Sequence, residues 1–155
     1  ATVLAPYCYH RMFSSCRLLK TAPKLPALVL AANCYGVMFS GCESLTAAPQ
    51  LPATTLAEFC YDTMFYGCTS LISAPILPAL TLEYGCYSQM FENCENLDFV
   101  RALFSGCTSD CNSTWNALGG WLDGVKDNGL FIKNRSSRLS KDDMHIPDSW
   151  TVSEQ

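Results

Sequence analysis

Apolar and polar residues alternate along the first two thirds of the chain in a pattern that repeats every 26 residues. In one copy the apolar side chains are Tyr61, Met64, Phe65 and Cys68. Their i, i+3, i+4, i+7 spacing is typical of one face of an α-helix. Gly67 is a helix stop signal, and the prolines of the following "SAPILPA" favour extended backbone. The pattern therefore predicts a short helix, a turn and a short extended segment in every copy.

The copies share the unit C-Y-x-x-M-F-x-x-C-x-x-L-x-x-A-P-x-L-P-A-x-x-L, present three times in full and a fourth time in part. Sequence periods of 20–50 residues mark repeat architectures, in which one unit buries its apolar face only against its neighbours. We therefore predict an α/β solenoid. It would be a leucine-rich-repeat-like, right-handed stack of short helix plus short strand units, closed by a small mixed cap.

Two regions are expected from this pattern. Residues 1–109 hold about four units of 26 residues and one shortened unit, and residues 110–155 form the C-terminal cap. All three tryptophans lie in the cap region. There "STWNALGGWLDGV" predicts a short helix, "LFIK" a strand and "WTV" a closing strand.

Composition narrows the classes of function. Apolar residues make up 49% of the chain, and the net charge is −4. Ten basic residues without a cluster give no electrostatic footprint for nucleic acid. No apolar run reaches the length of a transmembrane helix. The chain opens on "ATVLAPYCY", in phase with the later "ALVLAANCY", so we expect a processed N-terminus that more repeats preceded.

Ten cysteines in an even number suggest disulfides and an oxidising compartment. The candidates are Cys8, Cys16, Cys34, Cys42, Cys60, Cys68, Cys86, Cys94, Cys107 and Cys111. Pairing within a unit is favoured, although eight residues of helix span about 12 Å and a disulfide tolerates at most about 7 Å between Cα atoms. Pairing between neighbouring units and a ladder of free buried thiols remain open alternatives.

No residue pattern indicates catalysis. The two histidines, His10 and His145, are far apart in sequence, and no phosphate-binding or nucleophile motif is present. The C-x7-C spacing does not fit structural zinc sites. We therefore expect a protein that is not an enzyme and has no cofactor, no metal site and no catalytic residues.

Comparison of the units with one another predicts a ligand-binding surface. Positions that stay fixed between units are expected in the core, and positions that vary are expected at the surface. Two variable rows flank the fixed Ala-Pro and Leu-Pro-Ala residues, and they change from basic to polar to apolar. The predicted ligand-binding residues are Lys20, Lys24, Thr46, Gln50, Ile72 and Ile76. Extended faces of repeat proteins commonly bind partners, so a protein or glycan is expected on this sheet-like face.

The "MFxGCxSL" core and "APxLPA" tail resemble the BspA-like leucine-rich repeats found in surface proteins of gut and oral bacteria. The resemblance covers about residues 1–107. The later "GxFxKN" and "IPxxWTV" elements resemble a segment that often closes such arrays. The resemblance implies display at the bacterial cell surface, as a lipoprotein or secreted protein, and a role in adhesion. A structural spacer without a ligand and an intracellular scaffold with free thiols are the alternatives.

Overall fold

The computed structural model describes residues 4–108 and 114–155, and it shows that the prediction of an α/β solenoid is wrong. The helix that it contains, α1 (Thr114–Leu118), has five residues and belongs to the C-terminal region. The strands are short: β1 (Thr81–Leu82), β2 (Phe99–Ala102), β3 (Gly106–Cys107), β4 (Leu130–Lys133) and β5 (Thr151–Glu154). They form two small parallel sheets, β1–β3 and β2–β4–β5. Neither a helix nor a regular strand occurs in each repeat, so the leucine-rich-repeat-like architecture is also wrong.

Each predicted helix is instead a series of overlapping β-turns, which we call a ribbon. The four ribbons are residues 5–16, 31–42, 57–68 and 83–94. In the second ribbon the N–H groups of Cys34, Met38 and Cys42 each donate to the carbonyl three residues earlier, at 3.0–3.2 Å. The third residue of each of these turns has positive φ, as type II turns require. An α-helix would bond i to i−4 throughout and would exclude these φ values.

The N–H groups of Gly36 and Ser40 close further turns, and the odd-numbered N–H groups from Asn33 to Gly41 bond to the next ribbon. Tyr35 N–H donates to the carbonyl of Cys60 at 3.1 Å, and Phe39 N–H donates to the carbonyl of Met64 at 2.9 Å. The same bonds recur 26 residues earlier and later. Half of the ribbon's N–H groups therefore close turns, and the other half join each ribbon to its successor.

These bonds place equivalent side chains over one another. The rings of Phe39 and Phe65 are nearly parallel with centroids 5.6 Å apart, and Tyr35 and Tyr61 are 5.9 Å apart. Such offset aromatic pairs are favourable beyond the area they bury. The core thus consists of parallel rows of tyrosine, phenylalanine, methionine and cysteine side chains.

The C-terminal region covers the last ribbon. Tyr87 N–H donates to the carbonyl of Ala117, and Phe91 N–H donates to the carbonyl of Trp121, both at 3.0 Å. The indole of Trp121 is fully buried, and its Nε1 donates to the carbonyl of Met144 at 2.9 Å. The helix predicted for "STWNALGGWLDGV" ends at Leu118, and residues 119–124 form turns. The strands predicted at "LFIK" and "WTV" are confirmed as β4 and β5.

Prolines prevent a sheet from running through the repeats. The segments that follow the first three ribbons, which we call tails, are residues 20–29, 46–55 and 72–81, and each contains two prolines. Proline lacks an N–H, so it cannot donate within a central sheet. Only isolated bridges join the tails, such as Thr21 with Ala47 and Val29 with Thr55. β2 has no proline and pairs with β4 over four residues.

A glycine substitution distinguishes the ribbon from a helix. Gly67 has φ of +66°, and a Cβ added there would meet no atom within 4 Å. Because the left-handed conformation costs L-residues about 1–2 kcal/mol, we expect Gly67→Ala to lower the free energy of unfolding by about 1 kcal/mol in urea denaturation. In a helix the same change would raise it by a similar amount.

Gly106→Ala is the matched control, since its Cβ also meets open space but its φ is not positive. We expect that variant to be no less stable than the parent. An increase in stability for Gly67→Ala would contradict the ribbon.

Candidate binding surface

The structure exposes all six predicted ligand-binding residues, but it brings only half of them into concave sites. Lys24 and Gln50 line one groove, and Gln50 and Ile76 line a second. Lys20, Thr46 and Ile72 are exposed outside both grooves. Of the two variable rows, only the one between the paired prolines therefore faces a groove.

The first groove lies between the first and second tails. Its volume is about 440 Å³, within the range of small-ligand sites. Its walls are mainly proline and alanine side chains, with Lys24 on one side and Gln50 on the other. The lining residues are Ala22, Pro23, Lys24, Leu25, Pro26, Pro49, Gln50 and Pro52.

The second groove repeats the first one unit further along the chain. It lies between the second and third tails and has a volume of about 420 Å³. Gln50 and Pro52 line both grooves, so the two sites adjoin. The lining residues are Ala48, Gln50, Leu51, Pro52, Ala74, Pro75, Ile76 and Pro78. Two neighbouring sites thus share constant walls and differ in one variable side chain.

The prediction for the prolines was correct only in part. Their constancy between units predicted core positions, and Pro49 is buried, but Pro23 and Pro26 are exposed and Pro52 is half-buried. The leucine between each pair of prolines is buried, as at Leu51 and Leu77. A useful signal was available, because a residue without an N–H is a poor choice for the interior of a paired sheet. Constant prolines therefore indicate backbone that does not donate to a sheet, whether the side chain is exposed or, as at Pro49, buried.

The grooves are apolar, and their only ionic group is at one end. Lys24 contributes a positive charge to the first groove, Gln50 contributes a neutral amide to both, and Ile76 is 50% exposed beside the second. The gradient from basic through polar to apolar that the sequence predicted for these positions is therefore present along one surface.

The cysteines form two rows that follow the repeat. Cys34, Cys60 and Cys86 are fully buried in one row, and Cys42, Cys68 and Cys94 are fully buried in the other. Cys8 and Cys16, at the first ribbon, are exposed. Cys107 is half-buried, and Cys111 lies outside the described residues.

The favoured pairing within a unit does not occur in the four units. The free thiols include Cys8, Cys16, Cys34, Cys42, Cys60, Cys68 and Cys94, so each unit has at least one unbridged cysteine. Pairing within a unit would require the chain to turn back near Gly67, so that the two cysteines approach within about 7 Å. Instead, each second-row thiol points at the preceding ribbon, and Cys68 donates to the carbonyl of Phe39 at 3.2 Å. Cys42 and Cys94 make the same bond at 3.2 and 3.0 Å.

Burial makes these thiols poor nucleophiles and poor metal ligands. It raises the pKa of Cys34 and of Cys42 to about 11, and that of Cys94 to about 12. Burial also raises the pKa values of Cys60 and Cys68. Reactive cysteines have lowered pKa values and access to solvent. The buried rows therefore serve as core packing.

Other chemistry is sparse in the described part of the chain. There, no group of three or more histidine, cysteine or acidic side chains is arranged to hold a metal ion. Across residues 4–108 and 114–155, no helix has the length and apolar character needed to cross a bilayer.

Comparisons of the chain with protein-family models, with curated proteins and with solved structures found no match. The resemblance to BspA-like repeats therefore rests on the sequence motifs alone.

The buried thiols give folding stability a defined pH dependence. The pKa of Cys34 is about 11 in the folded protein, against an ordinary value of 9.0. Between these pH values the unfolded chain loses its proton first, so a rise in pH favours unfolding. We expect the contribution of these thiols to the free energy of unfolding to be complete well below pH 9 and to be lost as pH rises from 9 toward 11. Urea denaturation across this range measures it.

Burial also raises the pKa of Tyr35 to about 12, so Tyr35 contributes to the same loss of stability at high pH. A Cys34→Ala variant should show a smaller decrease across the same range, because it lacks one of the titrating groups. Equal stability of the parent protein at pH 9 and pH 11 would contradict the burial of these thiols.

Proposed function

We propose that the chain is a non-catalytic binding module that holds an extended segment of another protein along the two proline-lined grooves. The supporting observation is the pair of adjoining grooves with constant walls and one variable residue in each unit. A repeated wall provides general affinity for a chain, and a variable residue provides selectivity. Bound segments of this kind place apolar side chains in pockets and use backbone groups for hydrogen bonds.

The spacing of the units suits an extended polypeptide. Equivalent rings of successive units are 5.6–5.9 Å apart. Alternate side chains of an extended chain are about 6.6 Å apart and point the same way. A bound segment therefore presents one side chain to each groove. The tails also have backbone outside regular strand pairing, as at residues 48–53.

The lining favours a protein ligand over a glycan. Sugar hydroxyls need hydrogen-bond partners when they are buried, because an unpaired buried polar group is costly. The grooves offer few polar side chains, chiefly the Gln50 amide and the Lys24 ammonium, and they have no aromatic platform. We therefore infer a ligand with an acidic or polar side chain near Lys24 and an apolar side chain near Ile76.

Display at a bacterial cell surface and a role in adhesion are part of the proposal, and their support is the motif resemblance. An intracellular scaffold is the second candidate. It is favoured by the free thiols of the described ribbons, such as Cys34 and Cys60, since reduced cysteines are typical of the cytosol. The groove hypothesis is the same in both settings.

Selection from a random peptide display library against the full chain tests the grooves. We expect selected peptides to be apolar with an acidic residue, and we expect Ile76→Glu to weaken their binding at least about tenfold, because the new charge would be buried against apolar groups. Isothermal titration calorimetry measures the affinities.

Ile72→Glu is the matched control, since Ile72 belongs to the same tail, is 56% exposed and lies outside the grooves. Its affinity should equal that of the parent. Equal affinities for all three proteins would place binding elsewhere. A failure to select any peptide, together with binding on a glycan array that Gln50→Glu abolishes, would replace the protein ligand by a glycan.

A further inference from the structure

Arg101 has a partly buried guanidinium without a partner in the described part of the chain. Its Nε is buried and donates to no group there. The ion pairs formed by the described residues do not include Arg101 either. A buried donor without an acceptor is costly, and each such group in a folded protein needs an explanation. The other four arginines are exposed: Arg11, Arg17, Arg135 and Arg138.

The other half-buried basic side chains, Lys133 and Lys141, have partners. Lys133 Nζ donates to the carbonyl of Leu139 at 3.4 Å. Lys141 Nζ donates to the carbonyl of Asp148 at 2.7 Å. Partial burial without a partner is thus specific to Arg101 among the basic side chains of the described residues.

The carboxylates of the surrounding sheet are already paired. The strands β2, β4 and β5 contain one acidic residue, Glu154, which pairs with Lys133 at 3.2 Å. Asp98, which directly precedes β2, pairs with Lys126 at 2.8 Å. The sheet therefore supplies no free anion to Arg101, and an anion from a ligand would satisfy the guanidinium.

Arg101 lies on the outer face of the sheet. Val100 and Ala102, its neighbours in β2, are buried, and successive side chains of a strand point to opposite faces. Its partner in register on β4 is Ile132, which is followed by Ser153 on β5. The guanidinium therefore belongs to an outward-facing row that also contains an apolar side chain and a hydroxyl.

The third tail places Arg101 beside the second groove. Leu77 N–H donates to the carbonyl of Arg101 at 3.0 Å, and Ser73 forms an isolated bridge with Phe99. Leu77 is buried, whereas Ile76, the residue before it, is exposed and lines the groove. Ile76 and Arg101 therefore lie on neighbouring backbones and both face outward.

Arg101 extends the variable row of the grooves by one step. Lys24, Gln50 and Ile76 follow one another in successive tails, and β2 presents Arg101 beside the last of them. One step from tail to tail corresponds to about two residues of an extended segment. A segment that follows the grooves therefore brings the residue two positions beyond the one at Ile76 to Arg101.

A carboxylate matches this position. The guanidinium is planar and presents its N–H donors in a fork that fits both oxygens of a carboxylate, and such hydrogen bonds are charge-assisted. Apolar neighbours such as Ile132 and Ile76 strengthen the attraction, because they lower the local dielectric constant.

We propose that Arg101 binds a carboxylate of the extended segment that lies along the grooves. The identity of this ligand rests on the proposed function. The carboxylate belongs to an acidic side chain two residues beyond the apolar residue at Ile76, or it is the C-terminal carboxylate of a segment that ends there.

Peptides selected from a random display library on the parent chain test the proposal. Each is synthesised with its acidic residue and with the corresponding amide residue, and calorimetry measures both forms against the parent and against Arg101→Gln. We expect the amide to weaken binding to the parent at least about tenfold and to leave binding to Arg101→Gln unchanged. A purely structural role of Arg101 would not produce this coupling.

Two controls locate the interaction and the source of the carboxylate. Arg17→Gln removes an exposed arginine of the first unit, and it should show the same tenfold loss as the parent. Peptides that end two residues beyond the apolar residue are compared as free acid and as C-terminal amide. A preference for the free acid that depends on Arg101 would identify the C-terminal carboxylate, and a preference for the acidic side chain would identify the alternative source.

A second experiment tests Arg101 without any peptide. The ¹⁵N-labelled chain is titrated with butanoate at constant ionic strength, and NMR follows the arginine Nε–H signals. We expect a saturable shift of the Arg101 signal, which is assigned by its absence in Arg101→Gln. The signals of the exposed arginines should not shift in a saturable way.

The outcomes separate this inference from the proposed function. Peptides that bind the parent equally well with and without their carboxylate would overturn the role of Arg101 and leave the grooves as the binding site. A failure to select any peptide would overturn the proposed function and, with it, the ligand inferred for Arg101. In that case a saturable butanoate shift would still support a carboxylate site at Arg101, and its absence would overturn the site as well.

Discussion

The hydrogen bonds that alternate between closing a turn and joining the next ribbon determine the rest of the structure. A ribbon that used all its N–H groups internally would leave nothing to align it with its neighbour. Because every second N–H reaches the following ribbon, as from Phe39 to Met64, equivalent residues lie over each other. The aromatic rows, the cysteine rows and the fully buried methionines follow from that alignment. The same alignment thus satisfies the backbone hydrogen-bonding groups and packs the side chains. Such agreement is expected of a sequence that specifies one fold.

The two prolines of each tail reduce hydrogen bonding between units in that part of the repeat. They remove the donors that would extend the ribbon's backbone bonds into a sheet. The tails therefore meet only at isolated bridges, and grooves form between them. One 26-residue sequence thus encodes a tightly bonded part that holds the chain together and an open part that is available for binding. Variation at positions 24, 50 and 76 changes the open part without disturbing the bonded part.

The sequence predicted the period, the core residues of the second, third and fourth ribbons and three of the residues in the grooves. It predicted the wrong local conformation because a ribbon with a four-residue turn period buries Tyr35, Met38, Phe39 and Cys42 just as a helix would. Over so few residues the two periods give the same apolar pattern. A sequence signal for the ribbon would be a residue that tolerates positive φ at every fourth position. That signal is weak here, because these positions include Val37 and Thr63, and β-branched residues disfavour positive φ. Pairing of the cysteines within a unit required the chain to turn back near Gly67, whereas the ribbon places the two cysteines of a unit in separate rows.

The most direct measurement is the detection by NMR of scalar couplings across the backbone hydrogen bonds, in protein labelled with ¹⁵N and ¹³C. The structure places the N–H of Phe65 at 2.9 Å from the carbonyl oxygen of Met90, in the next ribbon. The account predicts a coupling between the nitrogen of Phe65 and the carbonyl carbon of Met90. A coupling from Phe65 to the carbonyl of Tyr61 would instead show a helix, and it would contradict the alternation on which the rows and the grooves depend.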